Sequence, residues 1–404
     1  MPQAELNIGT VGHVDHGKTT LVAALTRKWT DTHSEEIKRG ITIKLGYADI
    51  GISRCEKCTG PEGYTTDKKC DNCGGPVKFL RKISFVDSPG HETLMATVIA
   101  ASSIMDGALF VIAANEKCPM PQTAEHLMVL EAAGIKNIVI AQNKVDLVTR
   151  QQAIENYREI KEFLKGTMFE NAPIIPTAAH SLKSLSALIA AIQETIPTPK
   201  RNPEADPSLY VARSFDVNKP GAKIERLIGA VFGGSMVRGR LAIGDEVELS
   251  PGILKKKKDR ETYEILKTKI TGLFAEKEKL EEAFPGGLIG ISTTLDPALS
   301  KSDGLVGNLV GRAGTLPETK LEIKVEIEPL KRAIESFNTT PGINEPLVLG
   351  IGTNTTIGFI IERKKKAFFL KLKKPVCASI GNKLAIMRRA NNRWHLYGVA
   401  TIVA

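Results

Sequence analysis

Nothing in this chain of 404 residues is apolar for long enough to cross a membrane as a helix. Such a span needs roughly 18 apolar residues in a row, and the best candidate, Gly107 to Ala114, is far shorter and follows Asp106. A secretion signal is also missing, because Met1-Pro2-Gln3-Ala4-Glu5 has neither a basic start nor an apolar run. The expectation is a soluble cytoplasmic protein with no membrane partner. Aromatic residues are scarce, at 5%, yet the hydrophobic (42%) and charged (25%) fractions are ordinary for a globular protein. They exclude wholesale disorder and a coiled-coil rod. At roughly 100–200 residues per domain the length holds two to four domains, each able to bury a core without disulfides.

Acidic residues are nearly absent from the C-terminal end. Residues 350–404 hold 11 Lys/Arg and one acid, Glu362, whereas residues 1–200 and 201–349 each hold 22 of either sign. The whole net charge of +10 is therefore local. A localised basic surface suits a polyanion, most often nucleic acid. A solvated lysine face is the plainer alternative.

Cysteine is used sparingly: Cys55, Cys58, Cys70, Cys73, Cys118 and Cys377. The first four form C-x2-C-x11-C-x2-C. Without a secretion signal, that spacing reads as metal ligation rather than as two disulfides. Four thiolates close a tetrahedral zinc site and leave no open position for chemistry. Gly60, Pro61, Gly63, Gly74, Gly75 and Pro76 suit the tight turns this needs. The expectation is a structural zinc knuckle at residues 51–80; four free thiols are the alternative. Cys118 and Cys377 read as buried small hydrophobes.

From residue 6 to about 197, short β-type runs alternate with helical patterns. Leu6–Val11 precedes a helix from Gly17 to Arg27, and Ile83–Val86 precedes one starting near His91. Ala108–Ala113 leads to the stretch after Pro121, Asn137–Gln142 to Gln151–Lys165, and Ile174–Ile175 to Ser184–Ile196. The alternation predicts a doubly wound, mostly parallel α/β sheet with ligands beyond the carboxyl ends of its strands. Three prolines in Pro197–Pro203 mark a linker. Beyond it, short β-like runs such as Leu209–Val217 and Asp245–Leu249 are punctuated by turns. Leu321, Ile323, Val325 and Ile327 alternate with charged residues, as in a half-buried strand. The expected organisation is a nucleotide-binding domain at 1–200 and two β-barrels at 201–316 and 317–404.

Gly12-His13-Val14-Asp15-His16-Gly17-Lys18-Thr19 fits G-x-x-x-x-G-K-[ST] between a strand and a helix. Such a loop wraps phosphates with backbone N–H groups at the helix N-terminus. Lys18 would reach the β/γ oxygens and the Thr19 hydroxyl Mg2+. Asp87-Ser88-Pro89-Gly90 ends a strand as D-x-x-G, its carboxylate suited to Mg2+ through water and the Gly90 amide to the γ-phosphate. Asn143-Lys144-Val145-Asp146 follows as N-K-x-D. A carboxylate at Asp146 accepts from guanine N1–H and N2–H, donors that adenine lacks, and a buried group left unpaired by the wrong base discriminates strongly. Three motifs in this order predict a guanine-nucleotide site. His91, after the D-x-x-G glycine, is the candidate to orient the attacking water. Thr42, in Lys38-Arg39-Gly40-Ile41-Thr42-Ile43, could complete the Mg2+ shell only with GTP bound, giving an order–disorder switch.

Gly12–Thr20, Arg39–Ile43, Asp87–His91 and Asn143–Asp146 together resemble the translational GTPases of the elongation factor Tu group. The four-cysteine insertion between Thr42 and Asp87 is similar to that of the gamma subunits of archaeal and eukaryotic translation initiation factor 2. Asp216-Val217-Asn218-Lys219-Pro220-Gly221 extends the resemblance into that family's second domain, and the lack of a long N-terminal extension points to the archaeal form. The resemblance implies GTP hydrolysis and carriage of methionylated initiator tRNA to the small ribosomal subunit, within a heterotrimer with alpha and beta subunits. It implies that tRNA meets the nucleotide-binding domain and the first barrel, with the second barrel and the small ribosomal subunit also involved, and that GTP meets Asp15, His16, Gly17, Lys18, Thr19 and Thr20. It assigns the water-orienting role to His91 and a second Mg2+ to Asp15 and the Gly40 carbonyl. The family's Ser-Ala-x guanine loop maps onto Thr177-Ala178-Ala179 or, as helix spacing favours, Ala178-Ala179-His180.

Other readings have their own signatures. A selenocysteine-specific elongation factor shares the GTPase motifs but is not expected to carry the cysteine insertion. A GTP-gated tRNA-binding scaffold with little intrinsic hydrolysis would need a second protein to complete its site. A base-reading zinc finger would need a recognition helix after Cys73. Lys255–Lys258 reads as a solvated loop, with RNA contact as the minority reading. In Arg363-Lys364-Lys365-Lys366-Ala367-Phe368-Phe369, alternation would put one phenylalanine in the core and one on the basic side, where a second core contact is favoured over base stacking.

Overall fold

Leu6–Val11 (β1) is buried at every position, the pattern of a strand covered on both faces. Gly107–Ala113 (β5) and Ile138–Asn143 (β6) are buried in the same way. In the computed structural model the described residues are 3–30, 42, 44–91, 94–219, 221, 223, 227–257, 260–330, 337 and 340–404. Lys38, Arg39, Gly40, Ile41 and Ile43, together with Pro220 and Lys258, lie outside them. The chain forms two compact units, divided between Pro199 and Lys200.

The first unit adds Gly46–Cys55 (β2), Tyr64–Thr65 (β3), Val77–Asp87 (β4) and Ile174–Pro176 (β7) to one sheet, in the order β3-β2-β4-β1-β5-β6-β7. β4, β1, β5, β6 and β7 run parallel; β2 and β3 are antiparallel additions. Its helices are Lys18–Thr26 (α1), Met95–Ser102 (α2), Pro121–Ala132 (α3), Arg150–Leu164 (α4) and Leu182–Thr195 (α5). Leu21, Val22 and Leu25 of α1 share a core with Leu188 and Ile192 of α5 and with Leu6 and Ile8 of β1. Local signals set the helix ends: Thr149 and Gln152 form a reciprocal capping box on α4, and Ser181 caps α5. The sequence placed the second helix near His91; among the described residues it begins at Met95.

The second unit holds two barrels. Among its described residues, strands between Ser208 and Arg312 form a seven-stranded sheet that closes through the pairing of Glu246–Lys257 with Arg260–Ala275. Phe232, Leu249, Ile291 and Val310 fill its centre. Six strands from Thr319 to Val403 form a closed barrel around Val325, Leu349, Leu370 and Ile386. The expected alternation from Leu321 is only partly kept. Ile323 and Val325 are buried, but Leu321 is 52% exposed, because a register shift at Lys320/Glu322 resets the inward side.

Candidate functional site

The carboxyl ends of β1, β4 and β6 bring the three nucleotide motifs to one edge of the sheet. A cavity of about 400 Å³ opens there, lined by Val14, Asp15, Gly17, Lys18, Thr19, Thr20, Trp29, Thr42, Gly90, His91 and Lys144. The loop after β1 needs its glycines. Gly17 turns into α1 at φ 86°, and a Cβ there would sit 2.5 Å from Asn143 Nδ2. A Cβ on Gly90 would meet Lys18 Nζ and stand 3.0 Å from the amide nitrogen of Val14. Both positions keep backbone close to where phosphates would lie.

Asp87, fully buried and not itself on the cavity wall, is the hub behind Thr19. Its Oδ1 accepts from Thr10 Oγ1 at 2.8 Å, and its Oδ2 from Thr19 Oγ1 and Thr30 Oγ1, both at 2.7 Å. The Thr42 hydroxyl lies 3.1 Å from that of Thr19. Hard oxygen donors around a buried carboxylate are the set that Mg2+ prefers, so these residues fit the ion that the motifs imply. Lys18 Nζ donates to the His13 carbonyl at 2.7 Å, at the mouth of the loop.

Not every expected residue faces the cavity. The His16 ring is buried behind the loop, 3.1 Å from the Val111 carbonyl and 3.4 Å from Glu116, and burial lowers its pKa to about 4. Only the backbone of His16 is available to a phosphate. Asn143 donates to the His16 carbonyl at 2.9 Å and so braces the phosphate loop. Asp87, Asn143, Asp146, Ala178, Ala179 and His180 are not among the lining residues. The loops of Asp146 and Ala178 are nevertheless joined, since the Val145 amide donates to the Thr177 carbonyl at 3.3 Å, and the second loop is braced from within by the Ala178 amide donating to Ser184 Oγ at 3.1 Å.

Four contributors had no local signal in the sequence: Thr10 and Thr30 on Asp87, Trp29 on the cavity wall, and His126. His126, fully buried on α3, accepts from the Gly12 amide through Nδ1 at 2.8 Å. Burial, with Lys18 nearby, lowers its pKa to about 3, so at neutral pH the ring is uncharged and its proton sits on Nε2.

The four expected cysteines converge at the far end of β2 and β4, with all four sulfurs within 4.8 Å of one another. Cys55 and Cys73 sulfurs are 3.5 Å apart, and those of Cys58 and Cys70 3.8 Å. Thiolates about 2.3 Å from a tetrahedral zinc lie about 3.8 Å apart, so the cluster fits the ion. The Lys57 amide, donating at 3.4 Å, lowers the Cys55 thiol to about 6, while Cys73 foremost pushes Cys58 up to about 12. Thiols this close ionise together only around a cation. Cys118 is buried, as expected, and burial raises its thiol to about 12; Cys377 is partly buried.

Residues 3–198 match the family model of the elongation factor Tu GTP binding domain, and residues 321–402 that of the initiation factor eIF2 gamma C terminus. The chain is 55% identical to translation initiation factor 2 subunit gamma of Methanococcus vannielii, covering 99% of both chains. It is 52% identical to the protein of that name from Archaeoglobus fulgidus, covering 100% of this chain and 95% of that one. The same identity, over 99% and 98%, links it to that of Pyrococcus furiosus. Among solved structures it superposes on a bacterial selenocysteine-specific elongation factor, EF-Sec, with a TM-score of 0.75 at 25% identity. That match covers all of this chain and 58% of the other. Translation elongation factor SelB from Methanococcus maripaludis, solved with the GTP analogue GppNHp, gives 0.73 at 22% identity over 100% and 80% of the chains, a likeness of fold.

Proposed function

Since the chain belongs to the gamma subunits of translation initiation factor 2 and is thereby a translational GTPase of initiation, we propose that its nucleotide site gates delivery of methionylated initiator tRNA to the small ribosomal subunit. In this reading it works as the core of a heterotrimer with alpha and beta subunits. The observation that carries the gating is the meeting of Thr42 with Thr19 above Asp87. Thr30 and Thr42 thus both belong to this one centre.

The backbone of residues 15–20 and the Lys18 ammonium hold the β- and γ-phosphates; Asp146 reads guanine; a backbone amide of Ala178-Ala179-His180 meets its O6. Thr19 and Thr42 would hold Mg2+ through their hydroxyls, with Asp87 behind Thr19, and the ion would supply charge neutralisation at the phosphate oxygens. Gly90 donates its amide to the γ-phosphate, and His91 orients the water whose oxygen bonds to phosphorus as the bond to the bridging oxygen of GDP breaks. Asp15, with the carbonyl of Gly40, is the candidate for a second Mg2+. Cys55, Cys58, Cys70 and Cys73 hold a structural zinc.

The barrels offer surfaces for the tRNA. An apolar hollow of about 920 Å³ in the first includes Phe215, Val217, Leu227, Ile228 and Phe274, a lining suited to a methionyl side chain. In the second, Phe368 is core, whereas the partly buried ring of Phe369 has Lys324 Nζ at 5.8 Å and Lys364 Nζ at 5.4 Å from its centroid. Basic side chains around an aromatic ring suit an RNA strand.

The test is equilibrium binding of methionylated initiator and elongator tRNAs, each with a non-hydrolysable GTP analogue and with GDP, at fixed salt. Tight binding of the initiator in the GTP form alone is expected. Equal binding of both tRNAs would replace this reading with an elongation-type carrier, and indifference to nucleotide would remove the gating.

A further inference from the structure

Thr30 follows α1, outside every nucleotide motif, yet its side chain reaches the centre of the site. We propose that Thr30 is a positioning residue of the magnesium centre, holding Asp87 through its hydroxyl. The hydroxyl donates to Asp87 Oδ2 at 2.7 Å, the oxygen that also takes the Thr19 proton at 2.7 Å. Oδ1 is occupied by Thr10 at 2.8 Å. Both carboxylate oxygens are thus oriented by neutral hydroxyls, and the plane of the group is fixed before an ion arrives.

A second observation shows that Thr30 is held in place and is not merely nearby. It is buried, and Gly46 at the start of β2 stands directly behind it. A Cβ on Gly46 would lie 2.6 Å from Thr30 Cβ and 3.3 Å from its Oγ1. The side chain is therefore boxed between the β2 backbone and Asp87. Such a wall removes the rotamer freedom that would otherwise weaken the hydrogen bond.

The geometry is also compatible with an ion. A threonine hydroxyl can direct a lone pair at a cation while its proton stays on a carboxylate. Thr19 can therefore serve Mg2+ without leaving Asp87, and Thr30 keeps the other half of the bifurcated contact. Thr42 meets Thr19, and Thr30 meets the acid. Partners of metal-bound groups tune affinity through such orientation.

The inference rests on the reading of Asp87 as the acid of the magnesium centre, and the experiment separates the two. Release of a fluorescent GDP analogue from the full chain is followed while Mg2+ is titrated, for the wild type, Thr30→Val, Thr30→Ala, Thr30→Ser and Asp87→Asn. Losing the hydroxyl in Thr30→Val or Thr30→Ala should raise the Mg2+ concentration that half-maximally slows release by about 10-fold or more. Release in EDTA should stay unchanged, and Thr30→Ser should track the wild type. Thermal melting identifies any variant that fails to fold; Val and Ala perturb packing in opposite senses, so either suffices.

An unchanged Mg2+ half-point in the folded Val or Ala variant, with Asp87→Asn shifted, overturns the role of Thr30 alone. A Ser variant as impaired as Val also overturns it, by assigning the effect to packing. If Asp87→Asn itself leaves the half-point unmoved, the reading of the centre fails.

Discussion

Thr19 and Thr42 stand with their hydroxyls 3.1 Å apart although 23 positions separate them in the chain. The first opens α1, whose direction is fixed by the left-handed turn at Gly17. The second lies just before β2, which joins the sheet antiparallel to β4. Strand order therefore decides that these two hydroxyls meet above Asp87. A switch of this kind would need no long-range wire, because Thr42 and the ion it would serve share one set of donors.

The Thr42→Ala variant should distinguish the two nucleotide states. If the hydroxyl serves the ion with GTP bound, its loss raises the Mg2+ needed for the GTP-analogue complex by about 10–100-fold. The GDP complex should barely change. Parallel Mg2+ titrations with the two nucleotides measure this, and an equal shift in both would show that Thr42 is a constitutive ligand.

His91 lines the cavity beside Gly90. His91→Ala should slow single-turnover hydrolysis by about 100-fold or more, the usual range for a group that handles the attacking water. GTP affinity should be retained, since the phosphate-holding groups are elsewhere. A variant that hydrolyses at the wild-type rate would leave His91 without a catalytic part.

Much of this site is legible in the sequence because its chemistry is local. The phosphate loop, D-x-x-G and N-K-x-D each occupy a few consecutive residues at a strand end, and the cysteines carry their own spacing. What escapes reading is set by distance in the chain. His126 acts on Gly12 across 114 positions and Thr30 on Asp87 across 57, and a buried histidine or a lone threonine carries no local mark of either role. The strand β2 is hidden for another reason. Gly46-Tyr47-Ala48-Asp49-Ile50-Gly51 has weak apolar periodicity, and it becomes a strand because the edge of β4 is available to it.

The cysteine cluster should bind zinc at one ion per chain, measurable by elemental analysis. Ligation needs thiolates, and Cys58 is pushed up to about 12, so binding should release protons and weaken as the solution is acidified. Chelation or Cys70→Ser should open the segment around residues 55–76 to proteolysis. Nucleotide affinity should survive, because Asp87 lies at the opposite end of β4 from Val77. Zinc content well below one per chain after metal-replete purification would refute the site.

His126 offers a test through pH. The folded chain keeps its ring neutral down to about pH 3, whereas in the unfolded chain it protonates below 6.5. Between those values the unfolded state binds more protons, so stability rises with pH across the window and is lost as the pH falls through it. His126→Asn removes that titration while leaving a carbonyl to accept from Gly12. The slope of urea midpoint against pH should therefore flatten between about 3 and 6.5, though not vanish, since His16, at about 4, titrates in the same range. His126→Ala orphans the Gly12 amide instead, and that alone should cost about 1–3 kcal/mol at neutral pH. It should also weaken GDP binding, because the first residue of the phosphate loop loses its anchor. An Ala variant with wild-type GDP affinity would show that Gly12 is held by the β1 backbone, with the histidine contributing only to the fold.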